Sequence, residues 1–289
     1  MESTAIALVL CSAVSHALWN YFAKSGKDKS GFMFLMNVTS HFTVLPVYLL
    51  FLKDWRLPLE VIPILFFSGL AEAVYFFSLA KAYESGDLSV VYPVARSSPV
   101  FVAVFASIFF LEPLSSWGIA GILIVLLGVY VIYLPELSIS KALQPFRNPA
   151  GKATLFALMA AFGTTAYTLL DRVGVTHVDP LLYSFWLEVS VTIFLVPIQL
   201  VRGIDTIARE WKTGWKRISI SGFLMRGGYI LILIAMNLAP VAYILAIRQF
   251  SVVIGALLGV FFLKEGYGRQ RVVGALIVFI GVYFLVVLA

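Results

Sequence analysis

"FFLEPLSSWGIAGILIVLLGVY", residues 109–130, is repeated later in the chain as "FFLKEGYGRQRVVGALIVFIGVY", residues 261–283. In both copies a short polar break is followed by an apolar run that closes on the same Gly-Val-Tyr ending. An apolar run of about 20 residues is long enough for an α-helix to cross the ~30 Å hydrocarbon core of a bilayer. The repeated stretch therefore predicts a membrane protein built from an internal repeat.

The composition of the 289 residues agrees with this prediction. Hydrophobic residues make up 61% and charged residues only 12%, whereas a soluble domain carries about 25% charged residues. The apolar runs predict an all-α integral membrane protein with ten transmembrane helices, spans 1 to 10. They are expected at residues 4–25, 31–52, 60–83, 88–111, 115–134, 150–172, 180–201, 214–238, 241–263 and 267–288.

Aligning the chain on the repeated stretch matches spans 1–5 with spans 6–10. We predict a first five-helix repeat over residues 1–134, a connecting loop over 135–149 and a second five-helix repeat over 150–289. Because five is odd, the two repeats cross the membrane in opposite directions and are related by a pseudo-two-fold axis in the membrane plane. Many secondary transporters have this inverted architecture, with the substrate site near the midplane between the repeats.

The alignment also matches polar residues that lie inside the spans. The matched pairs are Arg96 with Arg248, Glu72 with Arg226, Tyr75 with Tyr229, Asn37 with Glu188, and Trp19 with Tyr167. An arginine at the centre of a membrane helix costs roughly 2.5–3.5 kcal/mol on insertion scales. Each of these arginines therefore needs a partner, water or a function.

Arg96 and Arg248 are predicted at similar depths in the membrane. Arg96 is predicted ~12 Å into span 4 and Arg248 ~10 Å into span 9 at the helical rise, and the two spans start from opposite faces. Both side chains then approach the midplane, where Glu72 and Arg226 are also expected. One interpretation is a structural ion pair of Glu72 with Arg226 or Arg96. The other is that Arg96 and Arg248 hold a carboxylate or phosphate of the substrate through bidentate hydrogen bonds.

Other polar and aromatic residues suit the same site. Trp19, Tyr75 and Tyr229 lie deep enough to line an amphipathic pocket rather than the interfacial aromatic belt. Asn20 shares a helix face with His16, where a bond to a neighbouring helix is the alternative to a pocket role. Gln249, next to Arg248, completes the predicted substrate-binding set.

Two acids are candidates for proton coupling. Glu72 and Glu188 are predicted inside spans, where a carboxyl group can exchange a proton or pair with an arginine such as Arg226. Asp171, by contrast, is predicted at the end of span 6 beside Arg172, as an interfacial capping residue.

Prolines flank one of the two arginines. In "YPVARSSPVF", residues 92–101, Pro93 and Pro99 predict a kink on either side of the arginine,. The matched positions of span 9 hold Leu245 and Ser251. This asymmetry predicts that span 4 is the element that moves.

The basic residues predict the orientation. The connections after odd-numbered spans hold fifteen lysines and arginines, and the opposite side holds three. Positive loops stay in the cytoplasm, so both termini are expected outside it, in a multi-pass protein of the cytoplasmic membrane. Orientation also explains the net charge of +6, so no nucleic-acid partner is predicted. The single cysteine, Cys11, excludes an intrachain disulfide and a thiol metal cluster,, and no cofactor is expected.

The repeated stretch, "HALWNYFAK" (16–24), "GDLSVVYPVARSSPV" (86–100) and "LAPVAYILAIRQFSV" (238–252) resemble EamA domains of the drug/metabolite transporter superfamily. The resemblance covers nearly the whole chain. It implies a secondary transporter that moves a small molecule by alternating access, most commonly as an exporter. Members carry amino acids, metabolites, nucleotide sugars and drugs, and the cationic site favours an amino acid or another carboxylate.

Other functions remain open at this stage. One is a flippase-like, multidrug or lipid-carrier transporter of the same superfamily. An intramembrane enzyme is the most distant alternative, because His16, His41 and His177 show no metal-ligand spacing and the chain has no hydrolase or P-loop motif,. The expected partners are a small-molecule substrate and the lipid bilayer. Proton coupling, and a monomer or a homodimer, are left open.

Overall fold

The computed structural model describes residues 1–24, 26, 28–85, 88–134, 136–138, 151–263 and 268–289. Over these residues the regular secondary structure is helical, and ten segments are long and apolar enough to cross a membrane. The predicted all-α fold with ten spans is confirmed. The predicted connecting loop lies outside the described residues, apart from 136–138.

The helices follow the predicted order. Those of the first half are α1 Ser3–Lys24, α2 Lys29–Phe51, α3 Val61–Ser85, α4 Leu88–Ala95, α5 Ser98–Phe109 and α6 Ser116–Tyr133. Those of the second half are α7 Lys152–His177, α8 Pro180–Arg202, α9 Ile204–Ala235, α10 Val241–Arg248, α11 Phe250–Leu263 and α12 Arg269–Tyr283, with a π-helical turn at Phe284–Leu288. Span 4 consists of α4 and α5, and span 9 consists of α10 and α11.

Two helices are longer than predicted. α7 continues to His177 rather than ending at residue 172, and α9 begins at Ile204 rather than at residue 214. A helix can continue through polar residues as long as its backbone hydrogen bonds continue. α9 has 32 residues and is therefore about 48 Å long,. Its first turns therefore extend beyond the ~30 Å hydrocarbon core.

Spans 4 and 9 are both interrupted beside their matched arginines. The Ser97 N–H donates to the carbonyl of Val94 at 3.1 Å, and the Gln249 N–H donates to the carbonyl of Ala246 at 3.1 Å. In each case the bond reaches three residues back instead of four, which tightens the helix locally. Span 9 breaks at the equivalent place without a proline, so the prolines are not needed for the interruption. That span 4 is the element that moves stays a prediction.

The packing of the helices is symmetric between the halves. α3 packs along α7, and its two-fold counterpart is α1 along α9. α2 packs on α9, and its counterpart is α8 on α3. α6 and α12, the last spans of the two halves, pack against each other. Spans 4 and 9 each contact the first span of the opposite half, so their broken segments face the centre of the bundle.

Glycines allow the close contact between α6 and α12. A Cβ on Gly128 would lie 2.8 Å from the carbonyl oxygen of Gly274, and one on Gly281 would lie 2.9 Å from that of Gly121. The neighbouring atoms are backbone, so they cannot move aside without separating the helices. The close packing of α6 on α12 therefore depends on glycine at these four positions,.

Candidate substrate-binding site

Charged residues cluster in the centre of the bundle. Glu188 and Asp171 are fully buried, Arg226 is 1% exposed and Glu72 is 9% exposed. Arg96 and Arg248 are half-buried. The cluster therefore contains three arginines and three acids at membrane depth, where each charge is costly unless another group compensates it.

Arg96 and Arg248 meet at the imidazole of His16 on α1. Arg96 Nη2 lies 3.0 Å from His16 Nε2, and Arg248 Nη2 lies 3.2 Å from His16 Nδ1. The helix interruptions place these arginines at equivalent points of the two halves. His16 was not among the predicted substrate-binding residues, and the imidazole joins the two repeats.

The chemistry of imidazole limits these contacts. A neutral imidazole has one ring nitrogen that accepts a hydrogen bond and one that donates. Only one of the two guanidinium groups can therefore donate a hydrogen bond to His16. The other contact brings two donors together, and an anionic acceptor between the arginines would relieve it.

Two small cavities adjoin at this point. Each has a volume of about 30 Å³, which holds roughly two water molecules,. Both are lined by the same four residues, His16, Tyr75, Tyr167 and Arg248. At these volumes the central cavities are too small for a metabolite, which fits only if the helices around them separate.

Most of the predicted substrate-binding residues line these cavities. One cavity is lined in addition by Trp19, Glu72, Phe76, Met225, Arg226 and Tyr229. The other is lined in addition by Leu79, Ala95, Arg96, Ser98, Thr164, Leu245 and Gln249. Asn20 lies outside both, and its amide donates to the carbonyl of His16 at 2.7 Å within the same helix.

The prolines belong to span 4 but not to the cavity walls. Pro93 lies inside α4, and Pro99 lies in the first turn of α5. Neither side chain lines the two central cavities. They border the interruption that positions Arg96.

Arg226 forms a buried ion pair with Glu188. Arg226 Nε lies 3.1 Å from Glu188 Oε1, and His41 Nδ1 lies 3.6 Å from the other carboxyl oxygen. Thr192 contacts the second ring nitrogen of His41 at 3.1 Å and donates to Asn37 Oδ1 at 2.6 Å. The repeat alignment matched Asn37 with Glu188, and the structure places both in this layer behind the cavity.

Glu72 is placed differently from Glu188. It lies in the wall of the cavity that Arg226 and Arg248 also line. Its Oε2 atom is buried and accepts no hydrogen bond from any group that the structure describes. The ion pair that the sequence suggested for Glu72 with Arg226 is formed by Glu188 instead, because α8 brings that carboxyl to the guanidinium.

Asp171 is a residue that the sequence interpretation placed wrongly. It is fully buried rather than interfacial, because α7 extends beyond it. Its carboxylate accepts hydrogen bonds from the hydroxyls of Ser68, Tyr183 and Tyr229. One signal pointed to this position: Asp171 lies one turn after Tyr167, which the alignment had matched with Trp19, so both share the inward face of α7.

A metal site is not evident in the described part of the chain, where no three His, Cys, Asp or Glu side chains come close enough to hold an ion. The cluster brings guanidinium, imidazole, carboxyl and phenol groups together at the centre of the bundle.

Comparison with known proteins identifies the family. No curated protein sequence matches the chain. Among solved structures, one described as "Crystal structure of protein" has a TM-score of 0.74 and 16% identity, over 98% of this chain and 99% of that chain, so the likeness concerns the fold. The profile of the EamA-like transporter family matches residues 3–134 and 151–287. Because this match covers nearly the whole chain, the protein belongs to the EamA-like transporter family.

Proposed function

We propose that the protein is a secondary transporter for a small carboxylate, an amino acid or a related metabolite, which it exports across the cytoplasmic membrane by alternating access. One observation carries this proposal: two arginines from equivalent positions of the two halves converge on a single imidazole at the centre of the bundle. The two-fold relation of the halves supports a site that is reached from each side in turn.

In this proposal Arg96 and Arg248 bind the substrate carboxylate. A carboxylate between them would accept hydrogen bonds from both guanidinium groups and replace the contact that His16 cannot satisfy. Trp19, Tyr75, Tyr229 and Gln249 would contact the rest of the molecule. The Oε1 atom of Gln249 is buried and has no hydrogen-bond partner among the described residues, so it can accept from a donor on the substrate.

Charge balance favours Glu72 as the site of proton coupling. The cluster holds three arginines and three acids, so it is neutral when all six groups are charged. A substrate anion that carries no ammonium group adds one negative charge. A proton on one acid restores neutrality. Asp171 already accepts three hydrogen bonds and Glu188 is paired with Arg226, whereas Glu72 has a carboxyl oxygen without a partner.

A ligand screen on the purified protein tests the proposal. Amino acids, other carboxylates and phosphorylated metabolites are compared for their effect on thermal unfolding, and the best carboxylate is then assayed in proteoliposomes. We expect Arg96→Gln and Arg248→Gln each to abolish the shift and the uptake, whereas Arg56→Gln on the exposed connection between α2 and α3 should keep both. Normal uptake in both central variants would overturn the proposal.

A further inference from the structure

The largest of the three described cavities lies away from the central site, between the ends of α2, α3 and α8. Its volume is about 330 Å³, which is the size of a ligand pocket, typically ~300–1,000 Å³. We call it the vestibule. It is open at the end of the bundle where Lys81 and Arg202 lie, the end predicted to face the cytoplasm.

The vestibule has an apolar wall and a rim with charges of both signs. Phe34, Phe77, Leu195 and Ile198 form much of the wall. The rim carries two ion pairs, Lys81 with Glu84 at 2.7 Å and Arg202 with Asp28 at 2.9 Å. These pairs are partly exposed, and exposed pairs contribute little to stability, so they can exchange for the charges of a ligand.

Gln199 is the polar group inside the vestibule that points to a ligand. It is only 3% exposed. Its Nε2 donates to the hydroxyl of Ser30 at 2.7 Å, but its buried Oε1 has no hydrogen-bond partner among the described residues. A buried acceptor without a donor is costly, and an ammonium group in the vestibule would satisfy it once the amide turns to face the vestibule.

Phe76 separates the vestibule from the central site. Its side chain lines both the vestibule and the cavity that contains Glu72, Arg226 and Arg248. It is 8% exposed. Phe76 is therefore a wall that the two spaces share.

We propose that the vestibule is a second binding site for the transported compound, that this compound is an α-amino acid with an apolar side chain, and that Phe76 is the gate between the two sites. The proposal rests on the proposed function. The carboxylate of the amino acid replaces Glu84 and Asp28 as the partner of Lys81 and Arg202. Its ammonium group donates hydrogen bonds to Gln199 Oε1 and Glu84. Its side chain packs on the apolar wall at Phe34 and Phe77.

A thiol-protection experiment tests this site separately from the central one. Cys11→Ala removes the only cysteine of the chain, and Ala80→Cys then places a thiol in the vestibule wall, with Met33→Cys as a second position. The protein in detergent is treated with a small charged methanethiosulfonate reagent, and the rate at which the introduced thiol is modified is measured. Leu59→Cys, on an exposed connection, is the control that no ligand should protect.

We expect L-phenylalanine and L-leucine to slow modification at both vestibule positions at least threefold. Phenethylamine and 3-phenylpropionate, which each lack one of the two charged groups, should protect less. Protection should persist with Arg248→Gln, which removes transport, and should be lost with Gln199→Leu. Loss of protection with Arg248→Gln, or absence of protection by both amino acids, would overturn the second site. Protection by phosphatidylglycerol and not by amino acids would identify a lipid site and overturn it equally.

The same experiment distinguishes failure of the central site from failure of the vestibule site. Persistent transport in both Arg96→Gln and Arg248→Gln contradicts the central anchor and leaves the vestibule result intact. Unprotected vestibule thiols with normal dependence on Arg248 contradict the vestibule alone.

Discussion

His16 is the residue on which the central site depends, because both guanidinium groups of the matched arginines contact its ring. His16→Ala removes the acceptor used by one of them and leaves the two cations facing each other. Loss of a buried hydrogen bond of this kind costs about 1–3 kcal/mol. We therefore expect Tm to fall by several degrees in detergent, measured by thermal unfolding. His177→Ala, on the exposed end of α7, should not change Tm, and an unchanged Tm in both variants would contradict the role of His16.

The buried ion pair of Arg226 with Glu188 gives a second prediction about single residues. Both side chains are almost completely buried, and removing one partner of such a pair costs about 3–5 kcal/mol because the other charge remains. Glu188→Met should therefore lower Tm strongly, whereas Glu188→Met combined with Arg226→Met should recover most of the loss. A double variant as unstable as the single one would show that Arg226 has another essential partner.

The two arginines of the site were predictable and two of its other members were not. The repeat alignment matched Arg96 with Arg248, because a symmetric fold brings equivalent residues to the same depth. His16 carried no such signal, since a single histidine in an apolar helix has no counterpart in the pattern. Asp171 was misplaced because a charged pair resembles a helix end, whereas hydroxyl groups from three other helices compensate its charge.

At the scale of the helices, the interruptions of spans 4 and 9 show what a residue pattern can miss. Pro93 and Pro99 predicted the break in span 4. The break in span 9 depends on a shift of backbone hydrogen bonds at Gln249, which leaves no mark in the residue types. Both halves therefore contain a helix interruption beside an arginine.

The contact of α6 with α12 gives a prediction about an element. In Gly128→Ala the new methyl group would lie 2.6 Å from the backbone nitrogen of Val278, so the helices must separate. We expect a lower Tm and loss of the native elution profile in size-exclusion chromatography. Gly227→Ala is the matched control, because nothing lies within 4 Å of its Cβ position, and its Tm should be unchanged or higher, since alanine favours a helix by about 1 kcal/mol. Equal stability of the two variants would contradict tight packing at Gly128.

At the scale of the whole molecule, hydropathy and repeat length were enough to predict ten spans in two halves. They could not predict the conformation. Whether the centre is open or closed depends on side-chain volumes across many helix pairs, and the small central cavities and the large vestibule emerge only when all helices are in place.

The orientation of that end is the last prediction. Fifteen basic residues on one side against three on the other predict that the vestibule faces the cytoplasm and that both termini lie outside it, because positively charged loops are retained during insertion. A C-terminal alkaline phosphatase fusion should therefore be active in cells, and a C-terminal green fluorescent protein fusion should be dark. The matched control ends the chain after Arg202, at the basic side, where the fluorescent fusion should be bright and the phosphatase inactive. Fluorescence from the full-length fusion would reverse the orientation, and the vestibule would then be the exit of the transport path rather than its entrance.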